Sequence, residues 1–149
     1  MSIKILSLNV NGLRNYKKRQ TIFHWLKEQN ADLYLLQETH CESTSDINNW
    51  KAEWGGECFW SVGTNFSRGV ATLVKPKLDI KISSTNSDRH GRFVMLDFEI
   101  DDLKLHLFNI YSPNNATDRV KFFKDLHVFI DNVTSTQDNS EVVIGGDFN

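Results

Sequence analysis

Polar and apolar positions along this chain alternate with two different periods, and the switches between them lay out its elements. Ile3 to Asn9 sets Ile3, Ile5 and Leu8 among polar neighbours and runs into Asn9-Val10-Asn11-Gly12, a turn-type cluster directly after a strand. Ile22, Phe23, Trp25, Leu26 and Gln29 then follow helical spacing with Asn30 as a stop, which predicts a helix over Lys17 to Gln29. Leu33 to Gln37 is a short apolar strand that delivers Glu38 at its end. Residues 41–56 read as polar loop with a turn of helix around Ile47 to Trp54, closed by Gly55-Gly56.

Further strands are predicted at Cys58 to Val62, Gly69 to Val74, Leu78 to Ser83 and Phe93 to Ile100. The last of these puts Val94, Leu96, Phe98 and Ile100 on one face and Asp97 and Glu99 on the other, and Asp101-Asp102 turns it into the strand Leu103 to Leu107 as a hairpin. Tyr111 to Asn115 is a loop, and Thr117 is placed as the cap of a helix reaching Asn132, with Phe123, Leu126, Ile130 and Val133 as its apolar stripe. A final strand, Val142 to Gly145, runs through Gly145-Gly146 into Asp147-Phe148-Asn149. The order is that of an α/β chain with a mainly antiparallel centre, without internal repeat or interdomain linker.

Composition narrows the class. The 149 residues suit one domain, and 40% hydrophobic, 11% aromatic and 24% charged positions are those of a chain with a core. No apolar run approaches the ~20 residues of a membrane span and the N-terminus lacks a secretory pattern, so an intracellular location is expected. Cys41 and Cys58 have neither zinc-site spacing nor disulfide density and are expected as buried or partly buried thiols. A net charge of −2 excludes a globally basic nucleic-acid binder while leaving room for a local basic patch. His24, His40, His90, His106 and His127 share no spacing that suggests a common site; they are expected at the surface, His106 on an outward face among leucines.

Three strands end in polar groups: the first in Asn9 and Asn11, the second in Glu38, the last in Asp147 and Asn149. Brought together, these ends make a cleft with two carboxylates and several amides, suited to Mg²⁺, which is held by one or two carboxylates and keeps waters to share with phosphate. Alone, each piece also has a plain structural meaning, as a turn or a solvated strand end. A buried apolar strand that runs straight into a carboxylate is costly unless the carboxylate is paired or ligated, so Asp147 carries the most weight. Arg14, Lys17, Lys18 and Arg19 can be read as a solvated helix start. Cations there oppose the helix dipole by about 0.3–1 kcal/mol each, which points instead to phosphate contacts beside the Asn-Val-Asn-Gly turn. Arg68 and Arg92 are weaker candidates for the same role.

In order, Leu6-Ser7-Leu8-Asn9-Val10-Asn11-Gly12-Leu13-Arg14, Leu35-Leu36-Gln37-Glu38-Thr39-His40, Ser67-Arg68-Gly69-Val70-Ala71, Asn109-Ile110-Tyr111-Ser112-Pro113-Asn114 and Gly145-Gly146-Asp147-Phe148-Asn149 resemble the successive motifs of the endonuclease/exonuclease/phosphatase family. Within it the wording is most similar to the endonuclease domain at the start of LINE-type retrotransposon reverse-transcriptase polyproteins. The Arg-Gly-Val-Ala strand, the Glu-Thr-His ending and Trp54-Gly55-Gly56 lean that way. The resemblance implies a DNase I-like four-layer α/β sandwich, of which residues 1–149 would be the N-terminal portion of a domain truncated at its C-terminus.

The same resemblance implies roles. Glu38 would bind metal (Mg²⁺, with Mn²⁺ as substitute), with Asn9 beside metal and phosphate. Asn11, a second candidate at the metal, stands where many abasic-site endonucleases have an aspartate, a departure shared with LINE-type members. Tyr111 and Asn114 would contact the scissile phosphate, and Asp147 and Asn149 would position or deprotonate the attacking water. Implied partners are double-stranded DNA and, in a full polyprotein, a reverse-transcriptase domain and element RNA, with a nuclear location and no membrane. The family's Ser-Asp-His motif is not among these residues, so the fragment is expected to be inactive alone. The alternatives are an abasic-site repair endonuclease of the exonuclease III type and a non-catalytic DNA-binding remnant; a sphingomyelin- or inositol-phosphate-cleaving relative ranks last.

Overall fold

The computed structural model describes residues 2–135 and 139–149. Along the chain run β1 (Ile5–Asn9), α1 (Tyr16–Gln29), β2 (Leu33–Gln37), α2 (Thr44–Trp54), β3 (Cys58–Ser61), β4 (Val70–Val74), β5 (Lys81–Ser87), β6 (Phe93–Ile100), β7 (Leu103–Tyr111), α3 (Ala116–Thr134) and β8 (Glu141–Asp147). The strands form two four-stranded sheets, ordered β1-β2-β4-β3 and β5-β6-β7-β8. β1 and β2 pair in parallel, as do β7 and β8, and the remaining neighbours are antiparallel.

Burial explains why the sheets stack. β2 and β4 are buried at every residue, as strands covered on both faces must be. Leu33, Leu35 and Val74 of the first sheet meet Leu96, Phe98, Leu105 and Leu107 of the second in one apolar layer. Outside the first sheet, Phe23 and Leu26 of α1 and Trp50 and Trp54 of α2 pack on Tyr34, Leu36 and Leu73. Outside the second, Leu126, Phe123 and Phe129 of α3 cover Met95, Phe108 and Ile110. Helices, sheet, sheet and helix make the four-layer α/β sandwich that the motifs imply.

Several local expectations change. Residues 44–54 are a full helix: Ser43 caps it by accepting from Asp46 N–H, and Gly55 closes it in the left-handed region at φ 83°. β5 starts three residues and ends four residues later than expected, and α3 is capped by Asn115, which accepts from Asp118 N–H, not by Thr117. Trp25 is 41% exposed and outside the stripe of α1, where buried Arg19 takes a place beside Phe23 and Leu26. Ile3, just before β1, and Ile5 within it face the other sheet while Leu6 and Leu8 face the helices, so Ile3, Ile5 and Leu8 do not share a face. His106 is 6% exposed, with Nδ1 2.6 Å from Asp97 Oδ1: β7 is covered on both sides there, so alternation with leucines does not mark an outward face. Both cysteines are buried and free, and burial pushes each thiol up to about 12. Among the described residues no helix is long and apolar enough to cross a membrane.

Candidate active site

Parallel pairing of β1 with β2 and of β7 with β8 sends four chain segments out at the same end of the sandwich. They deliver Asn9, Glu38, Tyr111 and Asp147. The backbone turns sharply as it leaves: Asn11, Glu38, His40, Arg68 and Asn149 all adopt the left-handed region, at φ 47°, 54°, 58°, 61° and 52°. Such conformations cost of order 1–3 kcal/mol each and persist where surrounding bonds over-determine them. Here Gly12 N–H donates to Glu38 O at 2.6 Å and Leu13 N–H to Thr39 O at 2.9 Å, while Thr39 and His40 donate across to Gly69 O and Arg68 O at 3.0 and 2.9 Å. Gly69 itself is dictated by contact, since a Cβ there would stand 2.4 Å from Thr39 Oγ1.

The turn at Glu38 matters for chemistry. Gln37 faces the second sheet, so plain alternation would aim Glu38 back toward the helices. With φ at 54° its carboxylate instead reaches the second sheet, where Tyr111 Oη donates to Oε1 at 2.8 Å. Burial, then the bond to Glu38 and its charge, push the Tyr111 phenol up to about 12, against the opposing pull of Arg92. The phenol is therefore a protonated donor at neutral pH. Arg92 lies with its guanidinium 5.0 Å from the Tyr111 ring centroid and donates to Tyr111 O at 3.3 Å, half-buried, with burial pulling its pKa down.

A second pair joins the two sheets. Asn9 Nδ2 donates to Asp147 Oδ2 at 3.0 Å, and Asn149 N–H donates to Asp147 Oδ1 at 2.9 Å, so both carboxylate oxygens are aimed. The Asn149 side chain turns away to the Ser112 carbonyl at 2.5 Å, which fixes the 112–114 loop and does not place its amide beside Asp147. Gly146 is required where it stands: at φ 131°, a Cβ would come within 2.1 Å of Ile110 O. Asn11 contributes through its backbone, N–H to Asn9 Oδ1 at 3.0 Å and carbonyl to Lys18 Nζ at 2.6 Å. Asn114 is exposed on the loop, its carbonyl held by Arg119 at 2.9 Å.

The cations divide. Arg19 is 6% exposed; its Nε and Nη2 bind Glu53 at 2.6 and 2.8 Å, its Nη1 donates to Leu13 O at 2.9 Å, and its guanidinium lies 4.9 Å from the Trp50 ring. It is a core residue and departs from the expected phosphate role. Arg14 is taken up by Asp46 at 2.7 Å and Glu42 at 3.7 Å at the start of α2. Lys17 is exposed, Lys18 leans over Asn11, and Arg68, through His90 O at 3.2 Å, and Arg92 line the opposite rim. Gln37, Asn109 and Ser112 stand inside the quoted motifs but were given no role, although all are buried at the base of the cleft; for Gln37 and Asn109, a polar residue inside an otherwise apolar strand was the available signal.

Among the described residues no group of three or more His, Cys, Asp or Glu could hold a metal. The donors the cleft does offer are hard oxygens, the carboxylates of Glu38 and Asp147 and the Asn9 amide. That set fits Mg²⁺, which keeps several waters, and does not fit zinc.

The sequence pattern of the endonuclease/exonuclease/phosphatase family matches residues 6–149. The chain belongs to that family. An uncharacterized 149 kDa protein of transposon TX1 from Xenopus laevis is 31% identical over 150 residues, spanning 100% of this chain and 11% of that protein. An exodeoxyribonuclease of Bacillus subtilis (strain 168) is 29% identical over 119 residues, 76% of this chain and 44% of the relative. The chain thus spans less than half the length of either relative. Among solved structures, the catalytic domain of Xenopus laevis APE2 superposes with a TM-score of 0.75 at 21% identity, covering 99% of this chain and 58% of that one. TDP2 from Caenorhabditis elegans gives 0.73 at 19%, covering 99% and 47%. These structures share the fold.

Proposed function

We propose that these residues form the N-terminal part of a Mg²⁺-dependent DNA endonuclease of a LINE-type retrotransposon. It would nick target DNA and leave a 3′-hydroxyl to prime reverse transcription. The observation that carries this reading is the meeting of Glu38, Tyr111, Asn9 and Asp147 from both sheets in one cleft. The transposon relative matched over the whole chain supports the retrotransposon branch.

In this reading Glu38 and Asn9 hold the metal, with Mn²⁺ as a substitute, and the metal supplies charge neutralisation at the phosphate. The chain's own groups do the rest. Protonated Tyr111 donates to a phosphate oxygen, and Arg92 behind its ring adds positive charge where negative charge gathers. Asp147, aimed by Asn9 and the Asn149 backbone, orients a water toward phosphorus. The water oxygen bonds to phosphorus as its proton passes to Asp147, the bond to the 3′ oxygen breaks, and that oxygen takes a proton from solvent. Asn114, Lys17, Lys18, Arg68 and Arg14, the last once released from Asp46, contact flanking phosphates. Reverse transcriptase and element RNA are the expected partners, in the nucleus.

The test is plasmid nicking in Mg²⁺ by the chain joined to its natural downstream sequence, with Glu38→Ala and Asp147→Ala as variants. Each variant is expected to lose at least 100-fold; nicking that survives both changes overturns the assignment. Residues 1–149 alone are expected not to nick. The exodeoxyribonuclease relative favours a second reading, abasic-site or exonucleolytic repair, which a preference for abasic over intact DNA would establish.

A further inference from the structure

Beneath the cleft, the otherwise apolar layer between the sheets contains a buried amide pair. Gln37 of β2 and Asn109 of β7 are 1% and 0% exposed. Gln37 Nε2 donates to Asn109 Oδ1 at 2.9 Å, and also to Leu35 O at 3.0 Å and Ser7 Oγ at 3.2 Å. Asn109 Nδ2 donates to Ala71 O at 2.9 Å and Leu36 O at 3.2 Å, so one side chain of the second sheet is tied to two strands of the first. We propose that Gln37 and Asn109 are positioning residues whose inter-sheet bridge sets the separation between Glu38 and Tyr111.

The placement is what singles them out. Glu38 follows Gln37 directly, and Tyr111 stands two residues, roughly 7 Å of strand, beyond Asn109. The Glu38–Tyr111 bond thus spans the same gap between sheets that the amide bridge spans just below it. Leucines elsewhere in this layer attract without direction and allow small slides, whereas paired amides fix distance and register. Stability alone does not call for amides here. A satisfied buried pair is worth little more than apolar residues of the same shape. What an apolar pair would not supply is a defined spacing at the mouth.

The kinetic arm of the test rests on the nuclease reading; the structural arm does not. Tyrosine labelled with ¹³C at Cζ reports the Tyr111 hydrogen bond at neutral pH, with Tyr111→Phe giving the assignment. In the folded Gln37→Met/Asn109→Leu double variant, the Tyr111 signal is expected to move toward that of a solvent-exposed tyrosine. In the longer, active chain kcat is expected to fall at least tenfold with KM for DNA within twofold. A purely structural role would lower the melting midpoint and leave the Tyr111 signal and kcat of the folded protein in place. That outcome overturns the proposal. If the double variant does not fold, Gln37→Met alone, which keeps the side-chain shape and Asn109's bonds to Leu36 and Ala71, carries the same test. A Tyr111 shift in a protein that never nicks DNA supports the bridge and counts against the nuclease reading instead.

Discussion

Replacing Arg19 by alanine separates a core cation from a DNA-binding one. The change removes the two bonds to Glu53, at 2.6 and 2.8 Å, and the bond that satisfies the Leu13 carbonyl, and it strips the cation from the faces of Trp50 and Tyr16 at 4.9 and 5.5 Å. Breaking a buried pair by deleting one partner costs about 3–5 kcal/mol. The Glu53 side chain keeps 28% of its surface exposed, so water relaxes the orphaned carboxylate and the loss belongs at the low end, about 3 kcal/mol. Alanine's better helix propensity returns a few tenths of a kcal/mol. For a domain of this size the melting midpoint should fall by roughly 6–12 °C, whereas exposed Lys17→Ala should stay within about 0.5 kcal/mol. Urea denaturation of both variants measures this directly. A loss below about 1 kcal/mol for Arg19→Ala, joined to weaker DNA binding with a shallower salt dependence, would refute the argument and return Arg19 to the phosphate-binding group.

Gly146→Ala should cost at least about 2 kcal/mol, because its Cβ would stand 2.1 Å from Ile110 O, whereas Gly55→Ala, with nothing within 4 Å, should cost only the left-handed penalty of about 1 kcal/mol; urea midpoints separate the two. Tyr111, Cys41 and Cys58, with ordinary values of 10.0, 9.0 and 9.0, are each raised to about 12. The folded chain therefore holds more protons than the unfolded one in that window, and stability should be full below about pH 9 and decline as pH rises toward 12; a flat midpoint across the window contradicts this. Glu38→Gly keeps the backbone turn at φ 54° while relieving its strain, so it should unfold no more easily than the parent and still abolish nicking in the longer chain; a lower melting midpoint would show that the carboxylate is structurally needed.

The architecture was legible where one period ran unbroken. Val94, Leu96, Phe98 and Ile100 announced β6, the spacing of Phe123, Leu126, Ile130 and Val133 announced α3, order gave an α/β chain with an antiparallel centre, and the stacking of two sheets came from the family resemblance. Legibility failed where polar residues do structural work. Only the stretch from Ile47 to Trp54 of the helix at 44–54 was read, as a turn of helix, because its buried residues are Trp50 and Trp54 amid polar neighbours, although Ser43 and Asp46 carry a capping signature. Arg19 occupies a helical core position, and charge alone placed it at the surface. His106 pairs with Asp97 across neighbouring strands, which no period reveals. The cleft's constituents were visible as motifs, since strand ends with amides and carboxylates are unusual as a set. The Gln37–Asn109 bond beneath them was not visible, because it joins residues of β2 and β7 that are 72 apart in sequence.

The left-handed residues explain why motif and geometry had to be read separately. Alternation along β2 assigns Glu38 to the helix side of the first sheet, and alternation along β7 assigns Tyr111 to the space between sheets. Read from sequence period alone, the two would not meet. They meet because Glu38 is held at φ 54° by a ladder of backbone bonds from Gly12, Leu13, Gly69 and Arg68, residues of two different loops. The ladder closes because Gly69 and Gly12 leave no side chain against it, a Cβ on Gly69 falling 2.4 Å from Thr39 Oγ1 and one on Gly12 falling 2.7 Å from His40 Nδ1. The glycines beside the motifs thus do the aiming for the carboxylate within them. Strain at Glu38 and close packing at Gly69 and Gly12 belong to one device, and loosening either should open the Glu38–Tyr111 contact before it unfolds the sandwich.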